Sequence, residues 1–414
     1  MVRSFTAALV VVALSAALLP AQGDIQRGKL KKVDAEKNAV TVTVDGKDID
    51  CIVTPKTRFM AAPGSEIKDG LKNPVFKPGV QVEFKGGERD GKIVLIGMRL
   101  VGEGKGLPGK EPPPKVDTSA FKPLTELGTG KYQGFEGGLY PGGKNERPKA
   151  HEAAGLALAA KVVPLDTDGK PSSSGKVVLL SVGMSNTTQV FSVFKKLVDA
   201  DAEKNPRLLI VDGAQGGQTA ARIADLEGTG AKYWAEVDRR LQAAGATRAQ
   251  VQTAWIKEAN AGPSEGFPKY ARDLQAQQAR IVRLMHDRFP NLKLVYLSSR
   301  TYGGYATTRL NPEPYAYESG LSVRWLIEQQ LKGDPTLNYD PAKGKVTVPW
   351  LSWGPYLWAN GMTKRADGFY YEKNDFVGAD GTHPSLDGRA KVARELLRFF
   401  KTDTTTRPWF VARR

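Results

Sequence analysis

Two periodicities divide the chain. From residue 24 to residue 101, apolar and polar positions alternate, whereas beyond Lys176 continuous apolar runs alternate with helical stripes. Ala39-Val40-Thr41-Val42-Thr43-Val44 alternates strictly and stops at Asp45-Gly46, a dipeptide suited to a hairpin turn. Residues 49–54 read as the returning strand. Residues 80–84 and 93–100 add two more, with Gly86-Gly87 and Asp90-Gly91 as turns. The pattern predicts a small all-β domain over 24–101, an antiparallel barrel or sandwich.

The second pattern predicts an α/β domain. Val177-Val178-Leu179-Leu180-Ser181-Val182 is an unbroken run, as expected for a strand buried on both faces. Further buried strands are expected at 208–211, 251–256 and 292–298. Helices are expected at 188–202, 231–244 and 270–289, the last with Tyr270, Leu274, Ile281 and Met285 near one face. A final helix carries a stripe of Leu386, Ala390, Ala393, Leu397 and Phe400. Alternating strands and helices imply a parallel sheet with helices on both sides, and a ligand site outside the strands' carboxyl ends.

The segments between these patterns are read from composition. Residues 102–120 form a Gly/Pro linker, with Gly102, Gly104, Gly106, Gly109 and Pro112-Pro113-Pro114, which cannot bury a core. The α/β domain is assigned to 121–402, beginning with a Gly-rich wrap, and 403–414 is a tail. Arg3 followed by an apolar run to Pro20, then Pro20-Ala21-Gln22-Gly23, predicts a secretory signal peptide at 1–22. No stop-transfer segment follows, so the mature chain is expected to carry no transmembrane segment and to be periplasmic or extracellular. The single cysteine, Cys51, has no partner for an internal disulfide and falls in a strand pattern, as a small buried residue.

The formal net charge is +16. Beyond a solvated basic surface, this suggests attraction to anionic envelope material such as acidic polysaccharide. Nucleic acid is the weakest reading, because no basic motif is interleaved with aromatics.

Candidate chemistry gathers in the loops of the α/β half. The chain has three histidines, and one of them lies in Asp380-Gly381-Thr382-His383-Pro384-Ser385. An acid and a histidine three residues apart in a tight turn can hydrogen-bond, the carboxylate fixing one imidazole tautomer. The first buried strand runs into Gly183-Met184-Ser185-Asn186, which would present the Ser185 hydroxyl at a helix start, or leave Ser185 or Asn186 as a simple N-cap. The second leads to Asp212-Gly213-Ala214-Gln215-Gly216-Gly217-Gln218-Thr219, whose glycines let backbone N–H groups approach a ligand, or form a plain turn. The third leads to Glu258-Ala259-Asn260, where Asn260 is either an amide donor or an ordinary loop residue. Arg300 and Tyr302 follow the fourth strand and are candidates for substrate contact. His151 and His286 read as structural, and no cluster has metal-ligand spacing.

The ordered set, Gly-x-Ser, Gly loop, Asn and Asp-x-x-His, resembles the SGNH hydrolase superfamily over about residues 175–402. Gly183-Met184-Ser185-Asn186 and the Asp380 to Ser385 block are most similar to sialate O-acetylesterase-like and acetylxylan-esterase-like carbohydrate esterases. The N-terminal β region resembles small OB-like domains of exported bacterial proteins. The main resemblance implies a flavodoxin-like domain with Ser185 as nucleophile, His383 as base and Asp380 orienting it. It implies an oxyanion hole of the Ser185 N–H, the Gly217 (or Gly216) N–H and the Asn260 amide. It also implies an acylated carbohydrate or other ester as substrate, with no metal or organic cofactor. Two departures stand out: the common Gly-Asp-Ser is Gly-Met-Ser here, and the Asn block lacks the Gly-x-Asn-Asp form. A non-catalytic polysaccharide-binding protein and a lipase or thioesterase are the alternatives.

Overall fold

A computed structural model describes residues 26–44, 46–60, 67–89, 92–101, 113, 115–262, 265–378 and 380–412. The expected leader at 1–22 and most of the 102–120 linker lie outside them. The chain divides into two units, Met1–Gly109 and Lys110–Arg414.

The first unit is a barrel of β1 (Gln26–Asp34), β2 (Ala39–Val44), β3 (Lys47–Ile52), β4 (Arg58–Met60), β5 (Gln81–Arg89) and β6 (Lys92–Val101). The order is β3-β2-β1-β5-β6-β4, and β3 also pairs with β6, which closes the ring. Closure removes the free strand edges that an open sheet would expose. The neighbours along β3-β2-β1-β5-β6 are antiparallel, while β6 pairs with both β3 and β4 in parallel. Alternate residues Val40, Val42, Val82, Phe84, Leu95 and Met98 fill the interior. The register of β5 on β6 shifts at Lys85/Gly86, and a Cβ on Gly86 would lie 2.5 Å from the Val94 carbonyl oxygen. Cys51 is buried, and burial pushes its thiol up to about 12.

The second unit opens with α1 (Leu124–Leu127), a hairpin of β7 (Lys131–Tyr132) and β8 (Phe135–Glu136), and α2 (Lys149–Ala159). This wrap is tied down through its polar atoms. Tyr140 Oη lies 2.9 Å from Ser352 Oγ, Trp353 Nε1 donates to the Leu139 carbonyl at 2.7 Å, and His151 Nε2 meets the Leu351 carbonyl at 2.8 Å. His151 also stacks on Trp350, and burial lowers its pKa to about 4. It is a neutral packing element.

The sheet follows with β9 (Val177–Gly183), α3 (Ser185–Asp199), β10 (Leu208–Asp212), α4 (Ala220–Ala224), α5 (Gly230–Ala243), β11 (Val251–Lys257), α6 (Lys269–Arg288), β12 (Leu294–Ser298), α7 (Tyr315–Leu331), β13 (Trp350–Trp353), α8 (Leu386–Thr402) and α9 (Arg407–Phe410). The strand order is β10-β9-β11-β12-β13, and every neighbouring pair is parallel. In order of appearance this is 2-1-3-4-5, a doubly wound arrangement whose switch point lies between β9 and β11. Alternation along β9 splits the core. Val178, Leu180 and Val182 pack with Trp234, Leu274, Met285 and Leu321 from α5, α6 and α7. Val177 and Leu179 pack with Phe191, Phe194, Leu396 and Phe400 from α3 and α8.

Four elements differ from the sequence expectations as follows. Helix α3 begins at Ser185, earlier than 188, with Met184 as its N-cap. The core face of α8 is Gly388, Val392, Ala393, Leu396 and Phe400, whereas Leu386 is 76% exposed. Helix α7 and strand β13 carry no amphipathic signal, because α7 is buried on nearly every side and β13 is four residues long and wholly buried.

Candidate functional site

The carboxyl ends of β9 and β11 flank the switch point, and the chain there has almost no freedom. A Cβ on Gly183 would lie 2.5 Å from Thr187 Oγ1 and 2.6 Å from the Lys257 carbonyl oxygen, so only glycine fits. Thr187 Oγ1 donates to that carbonyl at 2.6 Å, pinning the first turn of α3 to β11. Asp212, at the end of β10, accepts from Ser181 Oγ at 2.6 Å and from the Thr188 hydroxyl. Tyr233 Oη accepts the Gly183 N–H at 3.1 Å. These bonds fix the turn that carries Ser185.

The Ser185 side chain caps no backbone group of its own helix. Its Oγ lies 2.7 Å from His383 Nε2, across a sequence separation of 198 residues. His383 Nδ1 lies 2.6 Å from Asp380 Oδ2. The carboxylate can only accept, so Nδ1 carries the proton and Nε2 accepts from the serine hydroxyl. Asp380 Oδ1 accepts the backbone N–H groups of Thr382 at 2.8 Å and His383 at 2.9 Å. Burial would raise the Asp380 carboxyl, but its bonds from His383 and Thr382 outweigh it and hold the group below the usual carboxylate range. The acid therefore remains an anion. The arrangement can move a proton from a hydroxyl to an imidazole and stabilise the resulting cation.

The loop bearing the pair is braced on both sides. Val377 N–H donates to the His383 carbonyl and Gly381 N–H to the Val377 carbonyl, each at 2.8 Å. Thr307 N–H donates to the Asp380 carbonyl at 3.0 Å. Gly381 has φ +59°, and a Cβ there would lie 1.8 Å from the Tyr305 carbonyl oxygen. Ser385 caps α8 by accepting the Gly388 N–H at 3.2 Å.

The expected oxyanion donors are placed unequally. Ser185 is the first residue of α3, and the first N–H groups of a helix have no partner within it. Gly217 is exposed, has φ +74°, and its carbonyl accepts from Arg222 Nη1 at 2.7 Å. Gly216 runs beside Ser185, its Cβ position 4.0 Å from Ser185 Cβ. Asn260 makes two bonds: Nδ2 donates one of its two N–H groups to Gln277 Oε1 at 2.6 Å, and Oδ1 accepts the Ala221 N–H at 3.1 Å. Its amide joins α4 to α6.

The two candidate contact residues also part company. Tyr302 is half-buried, with Oη 3.3 Å from Thr118 Oγ1 and its ring edge-on to Tyr305. Arg300 is only 3% exposed, and Nη1 lies 3.7 Å from Met184 Sδ. The loop that follows them is anchored by buried Glu313, which accepts the Gly303 N–H and Trp358 Nε1–H, each at 2.8 Å. Burial, only partly offset by these bonds, raises Glu313 to about 7. Asp212, Glu258 and Glu313 were not assigned roles from sequence; the usable signal was their position just past a strand end or just before a helix.

Among the described residues, no group of three or more His, Cys, Asp or Glu could hold a metal ion. None of their helices is long and apolar enough to cross a membrane. The roughly 740 Å³ cavity lined by Phe135, Arg272, Arg324 and Trp325 includes none of Ser185, His383 and Asp380.

No family model and no curated protein matches the chain. Solved structures do. A candidate SGNH hydrolase of Slackia heliotrinireducens is 15% identical, covering 54% of this chain and 99% of its own, with a TM-score of 0.27. A candidate platelet activating factor of Streptococcus pneumonia is 11% identical, covering 61% and 91%, with a TM-score of 0.29. A copper-bound CusF variant of Escherichia coli is 19% identical, covering 21% of this chain and 100% of its own, with a TM-score of 0.16.

Proposed function

We propose that the chain is an exported serine hydrolase on a flavodoxin-like, SGNH-type domain, cleaving an ester, and in particular O-acetyl groups on a carbohydrate. The observation that carries this reading is the continuous relay from Ser185 Oγ to His383 Nε2 at 2.7 Å and from His383 Nδ1 to Asp380 Oδ2 at 2.6 Å. Ser185 Oγ attacks the ester carbonyl as His383 Nε2 takes its proton. Asp380 stays ionised and stabilises the imidazolium. The tetrahedral oxyanion is met by the Ser185 N–H at the positive end of α3 and by an N–H of the Gly216-Gly217 loop. His383 returns the proton to the leaving alcohol. Water, deprotonated by the same imidazole, then releases the acid from the acyl-serine.

The test is a short-chain acyl ester together with a fluorophosphonate probe. Wild-type protein should turn over the ester and be labelled at Ser185. Ser185→Ala should lose both, with a rate loss on the order of 10⁶. Labelling of Ser185→Ala as strong as wild type, or undiminished turnover, would sink the assignment.

A further inference from the structure

Arg300 was a candidate for touching substrate, and as a whole residue it is only 3% exposed. Its guanidinium is nevertheless close to catalytic parts on two sides. Its Nη1 is 3.7 Å from the sulfur of Met184, the residue directly before Ser185. The Asp380 carboxylate and the Glu258 carboxyl, the latter pushed well above its usual range by burial, lie within electrostatic reach of it. Its backbone N–H, two residues beyond the end of β12, donates to Ser319 Oγ at 3.2 Å, which fixes where the side chain leaves the loop.

This is a poor arrangement if stability were the only purpose. A buried guanidinium normally recovers its desolvation cost through a two-pronged bond to a carboxylate. Here Nε has no hydrogen-bond partner, and neither do the two carboxyl oxygens of Glu258, which is 1% exposed. A thioether sulfur is a weak acceptor and repays little. An apolar side chain of similar length would fill the space at lower cost. Departures of this kind from the rules of stable packing are expected where function imposes them.

We propose that Arg300 is a positioning residue that, through its contact with Met184, holds the turn presenting Ser185 to His383. Met184 is the extended N-cap of α3, with φ −100° and ψ −162° and no side-chain capping bond, so contacts of its side chain help set the turn.

The inference rests on the hydrolase reading above, and the variants separate the two. A wild-type protein without Ser185-dependent turnover would defeat that reading. With turnover present, Arg300→Met should lower kcat on the order of 10²-fold, the cost of a small misplacement of reacting groups, and leave KM for a small ester unchanged. Arg300→Lys, which keeps the cation, should recover part of the loss. Unchanged kcat in Arg300→Met would overturn the proposal, as would a raised KM at constant kcat, which marks a substrate contact. Should Arg300→Met fail to fold, Met184→Leu decides. That swap is nearly isosteric and removes only the sulfur acceptor. It should cost about three- to tenfold in kcat, the worth of one modest hydrogen bond. Wild-type kcat in Met184→Leu would again overturn the tie. Where both single variants fold, the double variant should be no worse than Arg300→Met alone, and additive losses would count against it.

Discussion

At the scale of single residues, Asp380 governs what the imidazole can do. Its carboxyl is held below the usual range, so the stability it contributes is present above the unfolded carboxylate value of about 3.9 and is lost as pH falls through the lower folded value. It therefore remains ionised throughout the neutral range. Asp380→Asn should keep the fold and lose kcat on the order of 10³–10⁴-fold, because an amide can hold the wrong tautomer. His383→Ala should be as damaging as Ser185→Ala, and the His383→Ala/Ser185→Ala pair little worse than either. Steady-state kinetics on the folded variants test this, and a nearly fully active His383→Ala would remove the relay from the mechanism. The Asp-x-x-His spacing made this pair legible in the sequence, because both partners lie in one turn. Arg300 was not legible in the same way. Its position after a strand was visible, but its burial depends on Met184 and Glu258, which arrive from other strands.

At the scale of elements, the loop before α8 depends on a glycine without which it cannot close. Gly381 combines φ +59° with a backbone oxygen 1.8 Å from where a Cβ would sit. Gly381→Ala should cost at least about 1–3 kcal/mol from backbone strain alone and should displace Asp380 from His383. Gly378→Ala, where a Cβ would meet nothing within 4 Å, is the control. Thermal melts and ester turnover of the two variants should diverge, and equal behaviour would mean the loop relaxes around the methyl group. Sequence patterns recovered the elements that are half-exposed or carry long apolar runs, such as β9 and α6. They missed α7 because it is buried nearly all round, and β13 because four residues carry no period. They also mis-phased α8. Leu386 matched the stripe in spacing, but it lies at the capped first turn and faces solvent.

At the scale of the whole molecule, every group of the relay belongs to the unit Lys110–Arg414. The barrel has its own closed core of Val40, Val42, Phe84 and Met98. A protein lacking residues 24–110 is therefore expected to fold and to turn over a small soluble ester at near the full-length rate. The measurement is turnover of both forms once circular dichroism confirms that each is folded. A folded but inactive truncation would mean that the barrel contributes to the pocket.

The sequence separation of 198 between Ser185 and His383 has a kinetic consequence. Closing so long a chain loop is entropically costly, and the two side chains gain little from meeting until the sheet and the α3–α8 packing already hold them in place. On the proposed function, ester turnover should therefore be a late clock in refolding. Helical signal and tryptophan burial should recover first, and a chain trapped with α8 undocked would retain its serine hydroxyl yet have no base to activate it.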